Sequence, residues 1–384
     1  AEALLRDLRF WLPGIGDVLF VPGDDNTPYH STSSDPILVM ERMATSFGLA
    51  AGAVFRVLVM PAEVLLGRTV PPRFFQDGAI LLGKKDEVDR EALLRKISEI
   101  GYSRVHVVED PGTFAVRGSV VDIFWPGQSD PIRLDFFGDE LESITSFETG
   151  SQRRLTDLEE IAIGPVRPYV LDAASVACAK VRLRQLADDV EFPTGKLRRM
   201  LDDLENGVPF FGLESLLPAL HDGLIPWTGR LRDAHARMAI IDPPSVVEVL
   251  HEKEDAIEKA YDAALLRGEL CYAPSAHYCR ADDVVAAMSA MVPIRFYDVT
   301  AVQDGALAIN CPATTDLRQE ILRASADRDL DVDSRGPMAV LVRRIKAMHQ
   351  RGLAVLLPME SAASEKRLHE MLQGHAVAVR KLSG

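Results

Sequence analysis

Residues 103–148 constrain the fold more than any other segment, because four strand-like runs follow one another with only short turns between them. The turns carry Asp110-Pro111-Gly112, Pro126-Gly127 and Gly138-Asp139, and the runs cover residues 103–109, 113–125, 132–137 and 140–148. Links of this length join antiparallel neighbours. An amphipathic helix precedes the runs over residues 88–100. We therefore predict an α+β insert with an antiparallel meander sheet at residues 79–156.

Helices alternate with short apolar strands on both sides of this insert, which is typical of a parallel α/β sheet. Before the insert, strands at 18–21 and 55–60 flank a helix that Asp35-Pro36 begins. After it, strands at 238–241 and 293–297 flank a helix over 245–267. We predict the α/β fold class, with one parallel-sheet domain in two parts, residues 1–78 and 157–310, that the insert interrupts.

Residues 311–384 are predicted to form a polar connector and a small α/β domain. The connector, 311–336, is rich in Asp and Arg. Beyond it the apolar pattern predicts helices at 337–349 and 362–373 and strands at 353–357 and 376–380.

The net charge of −14 argues against broad binding to nucleic acid or to an anionic membrane, since both attract clustered cations. No apolar run approaches the roughly 20 residues that a membrane span needs, and four cysteines do not make a disulfide framework. We predict a cytoplasmic protein without a membrane partner. Its first residues, Ala1-Glu2-Ala3-Leu4-Leu5, resemble the interior of a helix, so we expect a fragment of a larger protein.

Two segments resemble nucleotide-binding motifs without their essential parts. Gly78-Ala79-Ile80-Leu81-Leu82-Gly83-Lys84-Lys85 nearly matches a phosphate-binding loop, but Lys85 stands where that loop needs a hydroxyl for magnesium. Residues 79–82 also have the composition of a strand. Ile240-Ile241-Asp242 resembles a magnesium-binding strand end, although Pro243 follows where a second acid is usual, and Asp242 is better interpreted as a helix cap. We predict no bound cofactor and no catalytic residues.

Two further clusters contain reactive residue types in unsuitable spacing. Cys271, His277 and Cys279 lack the close pairs that zinc sites favour, so we predict no metal site. His30 lies in one loop with three serines and Asp35, whereas catalytic triads are assembled across a fold, and we interpret the loop as a helix cap.

The strand at 132–137 offers the informative pattern, because its side chains alternate between two faces. Ile132, Leu134 and Phe136 share the face expected to meet the insert's helix. Arg133, Asp135 and Phe137 share the opposite face, and the same alternation places Arg117 there from the preceding strand, with Gly118 as a candidate bulge. Two arginines beside an unpaired aromatic are typical of a protein-binding hot spot. The alternative is that an arginine pairs with Asp135 and a loop covers Phe137.

Several blocks in order closely resemble the bacterial transcription-repair coupling factors, the Mfd family. They are Thr27-Pro28-Tyr29, Val57-Leu58-Val59-Met60-Pro61-Ala62-Glu63-Val64-Leu65-Leu66, Gly101-Tyr102-Ser103-Arg104-Val105, Phe114-Ala115-Val116-Arg117-Gly118-Ser119-Val120-Val121-Asp122-Ile123-Phe124, Pro131-Ile132-Arg133-Leu134-Asp135-Phe136-Phe137-Gly138-Asp139-Glu140, Ser151-Gln152-Arg153 and Phe211-Gly212-Leu213-Glu214-Ser215-Leu216-Leu217-Pro218. The resemblance implies the amino-terminal module of that family, similar to the damage-recognition helicase UvrB, followed by a small third domain.

This resemblance also implies a function. In the family the module has lost ATPase activity, and its insert recruits the repair ATPase UvrA to stalled RNA polymerase. The family's contact residues fall on Arg117, Arg133 and Phe137. The polymerase-binding domain and the ATP-driven motor on double-stranded DNA lie outside this chain. In the intact family a carboxy-terminal domain covers the insert's surface until a stalled polymerase is engaged.

Two other functions remain open on the sequence. A UvrB-type ATP-dependent damage-verification helicase would need an intact phosphate loop and an aromatic hairpin, for which residues 66–76 have no room. A DNA-binding module would need a local basic surface, and the candidate residues are Arg182, Arg184, Lys196, Arg198 and Arg199.

Overall fold

The computed structural model describes residues 1–12, 18–24, 26–30, 32–297, 317–326, 336–352, 355, 357, 362–375 and 377. The chain divides into two compact units, Ala1–Ala301 and Val302–Gly384, and each is described by itself. The four domains drawn from the sequence remain a prediction. None of the helices in the described part of the chain combines the length and the apolar composition that a membrane span requires.

The first unit opens with helices around a parallel strand pair. The elements are α1 (Glu2–Trp11), β1 (Val18–Phe20), α2 (Pro36–Ala50), β2 (Val57–Val59), a 3₁₀ turn (Ala62–Leu66), β3 (Arg68–Thr69) and α3 (Pro72–Gly78). Strands β1 and β2 pair in parallel, which confirms the predicted arrangement. Asp35 caps α2 by accepting the Ile37 N–H at 2.8 Å. The loop around His30 therefore serves as the helix cap that the sequence predicts.

A six-stranded sheet and a helix follow. The elements are β4 (Ile80–Gly83), α4 (Arg90–Glu99), β5 (Ser103–Arg104), β6 (Thr113–Arg117), β7 (Val120–Ile123), β8 (Ile132–Phe137), β9 (Glu140–Phe147), β10 (Arg154–Leu158) and β11 (Glu160–Ile163). The sheet has the order β10-β9-β8-β7-β6-β5, and β4 pairs separately with β11. Strands β6 to β9 form the predicted antiparallel meander, and β10, which the sequence interpretation did not include, adds an antiparallel strand beside β9.

Two details of the predicted meander are wrong. The run 113–125 is two strands, because Gly118 takes a positive φ of 62° in the turn between β6 and β7 rather than forming a bulge within one strand. The run 103–109 is a strand only at its first two residues, and it pairs with β6 in parallel. Its continuation leaves the sheet, since Val105 and Val108 pack with the apolar residues Ala115, Phe124 and Phe147 instead.

The rest of the first unit completes the α/β architecture. Its elements are α5 (Ala173–Asp189), α6 (Thr194–Glu205), a 3₁₀ segment (Leu213–Leu220), β12 (Ile225–Pro226), α7 (Trp227–Asp233), β13 (Ala239–Ile241), α8 (Pro243–Leu266), α9 (Pro274–His277), α10 (Ala281–Ala290) and β14 (Ile294–Phe296). Strands β13 and β14 pair in parallel, and β12 pairs with β3 from before the insert. One apolar core joins residues from both sides of the insert, including Val64, Leu66 and Trp227. The mixed α/β class is therefore confirmed.

The second unit contributes three described helices, α11 (Leu317–Ala326), α12 (Pro337–Gln350) and α13 (Ala362–Gly374). The helices predicted at 337–349 and 362–373 are confirmed. Residues 311–336 were predicted as a polar connector, but helix α11 lies within them. Leu317, Ile321 and Ala324 recur at helical spacing, and Ala324 is buried. The strands predicted at 353–357 and 376–380 fall on segments that lie largely outside the described residues.

The inner face of the six-stranded sheet is packed against α4. Leu93 and Ile97 of the helix belong to one apolar core with Leu134 and Ile144 of the sheet. The same core extends to Phe47 of α2, Phe75 of α3 and Trp125, so the sheet and these two helices share one apolar core. On the outer face, Val105 and Val108 pack on Ala115 and Phe147 and cover part of the sheet.

Gly164 lies where these aromatic rings meet, and an alanine there is expected to destabilise the protein by about 2 kcal/mol, since overpacking a dense core commonly costs about 1–3 kcal/mol. A Cβ at this position would stand 2.7 Å from the Trp125 ring and 2.9 Å from the Phe47 ring. Gly195→Ala in α6 is the control, because its Cβ would meet nothing within 4 Å. Urea unfolding measures both, and equal stability of the two variants would contradict the prediction.

Candidate functional site

Strand β8 separates apolar from polar side chains as the sequence predicts. Ile132, Leu134 and Phe136 are buried. Arg133 and Asp135 are half-buried on the opposite face, and Phe137 is exposed. The register places Arg133 opposite Asp122 on β7 and Asp135 opposite Ser143 on β9. This outer face of the sheet is the candidate functional site.

Phe137 stands at the end of the β8–β9 hairpin with 78% of its surface exposed. It pairs in register with Glu140, and Gly138 makes the turn with a positive φ of 65°. A register shift between Asp135 and Phe136 marks a bulge at this point. The alternative in which a loop covers Phe137 is wrong. A large apolar ring so exposed on a sheet face is available to a partner.

Arg133 binds the carboxylate of Asp122 in a forked geometry. Its Nε donates to Oδ1 at 2.7 Å and its Nη2 donates to Oδ2 at 2.9 Å. The hydrogen bond to Asp122 is the main reason that the pKa of Arg133 is raised above its usual value. The guanidinium carbon lies 4.4 Å from the centre of the buried Phe147 ring, within the range of a cation–π contact.

Arg117 reaches the same carboxylate from β6. Its Nη2 donates to Oδ2 of Asp122, while 46% of the Arg117 side chain stays exposed. The two arginines therefore share one buried acid, and Asp135 adds a second carboxylate to the same face. Phe137 lies four residues beyond Arg133 on β8, or about 13 Å at the usual rise of a strand. The structure thus places all three predicted residues on one face.

Asp122 is the residue that the sequence interpretation missed. The alternative interpretation paired one arginine with Asp135, but Asp135 instead accepts a hydrogen bond from the Ser143 hydroxyl at 3.1 Å. The side chain of Asp122 is only 1% exposed. The sequence feature that could have identified Asp122 is its place as the single acid in the otherwise apolar run Val120-Val121-Asp122-Ile123. Alternation along this strand places it on the face of Arg133.

The apparent phosphate loop is a strand in the structure. Ile80–Gly83 pairs with β11, as the interpretation of residues 79–82 predicts. The Lys84 N–H donates to the Glu159 carbonyl and the Lys85 N–H to the Leu141 carbonyl, both at 2.8 Å. Backbone donors that a phosphate would need are therefore already used.

Asp242 is the N-cap residue of α8, with Pro243 in the first turn, as predicted. Its carboxylate accepts the Ser245 hydroxyl at 2.6 Å instead of a backbone N–H.

The cysteine–histidine cluster lies mostly in the core. His277 and Cys271 are buried, and burial raises the pKa of the Cys271 thiol to about 11. His277 Nε2 lies 3.0 Å from the Ser215 carbonyl oxygen. Among the residues that the structure describes, no group of three His, Cys, Asp or Glu side chains is arranged to hold a metal ion.

The candidate basic residues on α5 and α6 do not act as one set. Arg182 donates to the carbonyls of Ala219 and His221 and to the Asp222 carboxylate. The other four, Arg184, Lys196, Arg198 and Arg199, are exposed.

Comparison with known proteins identifies the segment that carries the open face. Residues 80–169 match the family of UvrB interaction domains. That match contains the whole six-stranded sheet and the β4–β11 pair. The class of protein that the fold and the face define is therefore one with a UvrB interaction domain.

Similarity to full-length relatives goes further. The chain is 32% identical over 391 residues to the transcription-repair-coupling factor of Myxococcus xanthus, covering 99% of this chain and 32% of that protein. It is 32% identical over 152 residues to the factor of Escherichia coli, covering 40% of this chain and 13% of that protein. The corresponding values for Haemophilus influenzae are 28% over 174 residues, 45% and 15%. The resemblance to the transcription-repair coupling factors is thus confirmed, and the chain spans about a third or less of the length of these relatives.

Proposed function

We propose that this chain is a non-catalytic module that recruits UvrA to RNA polymerase stalled at DNA damage. The observation that carries the proposal is the exposed Phe137 beside two arginines on the open face of a UvrB interaction domain. Phe137 fills an apolar pocket of UvrA, and the N–H groups that the two arginines leave free donate to acidic groups. Such sets of aromatic and arginine anchors dominate many protein interfaces.

The proposed module is UvrB-like and consists of residues 1–78 and 157–310 around the insert at 79–156, with a small domain at 311–384. It works without a bound nucleotide, which agrees with the occupied backbone donors of Lys84 and Lys85. Contacts with RNA polymerase and double-stranded DNA, and the ATP-driven motor, belong to other parts of the full-length protein. There a carboxy-terminal domain covers the face until it is needed. The proposed location is the cytoplasm.

UvrA binding tests this proposal directly. Phe137→Ala and Arg117→Ala are each expected to weaken binding of purified UvrA by at least about tenfold, as for an anchor residue of an interface. Two exposed residues away from the face serve as controls. Leu81, with 73% of its surface exposed, matches Phe137 in exposure, and Arg95 on α4 supplies an exposed arginine.

Isothermal titration calorimetry with UvrA gives the affinities of the parent chain and the four variants. Leu81→Ala and Arg95→Ala are expected to bind as the parent does. Parent-like affinity of both Phe137→Ala and Arg117→Ala would refute the assignment of the site. Titration with ATP is a separate measurement, and micromolar affinity would refute the nucleotide-free module and favour a UvrB-type helicase.

A further inference from the structure

Asp122 holds the only nearly fully buried acidic side chain among the described residues of the open face, and both arginines of that face are bound to it. We propose that Asp122 is a positioning residue for the partner-binding face: it fixes the guanidinium of Arg117 in the orientation that the partner meets, and Arg133 serves mainly as its counter-ion. The proposal rests on the proposed function. It also divides roles between two arginines that the sequence pattern treats as equivalent.

Arg133 has little left to offer a partner. Its Nε and Nη2 both face Asp122, and Nη2 also donates to the Gln152 side-chain oxygen at 3.1 Å. Three of the five N–H groups of its guanidinium therefore point into the protein. The guanidinium carbon lies over the Phe147 ring, and only 22% of the Arg133 side chain is exposed. These contacts are those of a residue that completes a buried ion pair.

Arg117 is arranged differently. It makes one hydrogen bond to Asp122, which leaves four of its five N–H groups for other acceptors, and twice as large a fraction of its side chain is exposed. Its position on β6 is two residues beyond Ala115, which is the register partner of Asp122. The guanidinium therefore bends back along the face to reach the carboxylate, and this bond determines where its free donors point.

The carboxylate itself cannot move to follow a partner. The forked pair with Arg133 fixes its plane, and Gln152 is held in turn by its own bond to the Thr149 carbonyl at 2.8 Å. A long arginine side chain loses rotamer freedom when a partner immobilises it. Arg117 has already lost that freedom in the free protein, so Asp122 favours binding without touching the partner.

A double-mutant cycle tests this role. Asp122→Asn keeps the shape of the side chain and raises the positive charge of the face. It is nevertheless expected to weaken binding of purified UvrA about tenfold. In the Arg117→Ala background, Asp122→Asn is expected to have no further effect, because the group that it positions is gone. In the Phe137→Ala background, the fold-losses in affinity from Phe137→Ala and Asp122→Asn should multiply, because Asp122 does not position Phe137. This second cycle is therefore the control.

Two outcomes would overturn the inference: parent-like affinity of Asp122→Asn, or multiplying losses with Arg117→Ala. Circular dichroism at the binding temperature establishes that each variant is folded. If Asp122→Asn does not fold, Arg117→Lys decides, since lysine keeps the charge at an exposed position without the planar fork. If Arg117→Lys binds UvrA as weakly as Arg117→Ala does, the positioning role of Asp122 is supported. If Arg117→Lys binds UvrA as the parent does, that role is refuted. If Phe137→Ala and Arg117→Ala both bind normally, the proposed function fails instead.

Discussion

Arg230→Ala is expected to lower the free energy of unfolding by about 3–5 kcal/mol, the range of a large core truncation that also leaves buried acceptors unpaired. Arg230 lies on α7 and is only 5% exposed. Its guanidinium donates to the Ser46 carbonyl and, at 3.3 Å, to the Val70 carbonyl. The rings of Phe75 and Trp227 lie 5.4 and 5.7 Å away. One side chain from after the insert thus binds two segments that precede it.

Burial lowers the pKa of Arg230 to about 10, so the group stays charged at neutral pH although no carboxylate of the described residues lies within 4 Å. Arg230→Met is the matched variant, because it keeps most of the volume and removes the charge together with its donors. We expect it to lose about 1–2 kcal/mol, since removing a buried charge offsets part of the lost hydrogen bonding.

Urea unfolding at pH 7 measures both variants, and a loss below about 1 kcal/mol for Arg230→Ala would contradict the first expectation. Binding to UvrA adds a second comparison. Arg230 lies outside the open face, so both variants should bind UvrA normally at a temperature where they are folded. Stability and recognition are then separated experimentally.

The sequence predicts the open face well because alternation along a strand is a local property. Residues 132–137 contain three large apolar side chains at every second position, which decides the buried face without knowledge of the neighbours. Phe137 then follows as an exposed aromatic. The parallel pairing of β1 and β2 was also predictable, because both strands are short apolar runs and a helix lies between them in the chain.

Contacts between distant segments could not be predicted in the same way. An arginine in a short helix is normally interpreted as exposed, yet Arg230 binds carbonyls 160 and 184 residues away in the chain. Asp122 is an intermediate case. Its face could be predicted from alternation, but its choice as partner over Asp135 depends on the register between β7 and β8. The run 103–109 misled because Val105 and Val108 pack on side chains of the sheet, Ala115 of β6 and Phe147 of β9, instead of continuing as a strand.

His277 is expected to make the protein less stable as the pH falls from 7 to 4. Burial lowers its pKa in the folded protein to about 4, from an ordinary value of 6.5. Between these values the unfolded chain binds the proton and the folded protein does not, so the free energy of unfolding decreases with decreasing pH. The shift corresponds to a loss of about 3 kcal/mol at pH 4, at 1.36 kcal/mol for each pKa unit. Above pH 6.5 this contribution is constant.

His277→Gln isolates the effect, because glutamine retains a donor for the Ser215 carbonyl and does not titrate. Other groups also titrate in this range: burial lowers the pKa of His221 and raises that of Glu214, and these two act with opposite signs. Both are present in the parent and the variant, so they cancel in the difference between them. Relative to His277→Gln, the parent should lose about 3 kcal/mol between pH 7 and pH 4. If the difference in free energy of unfolding between the parent and His277→Gln does not change with pH, burial does not lower the pKa of His277. UvrA binding through the exposed Phe137 should follow this pH dependence only where unfolding begins.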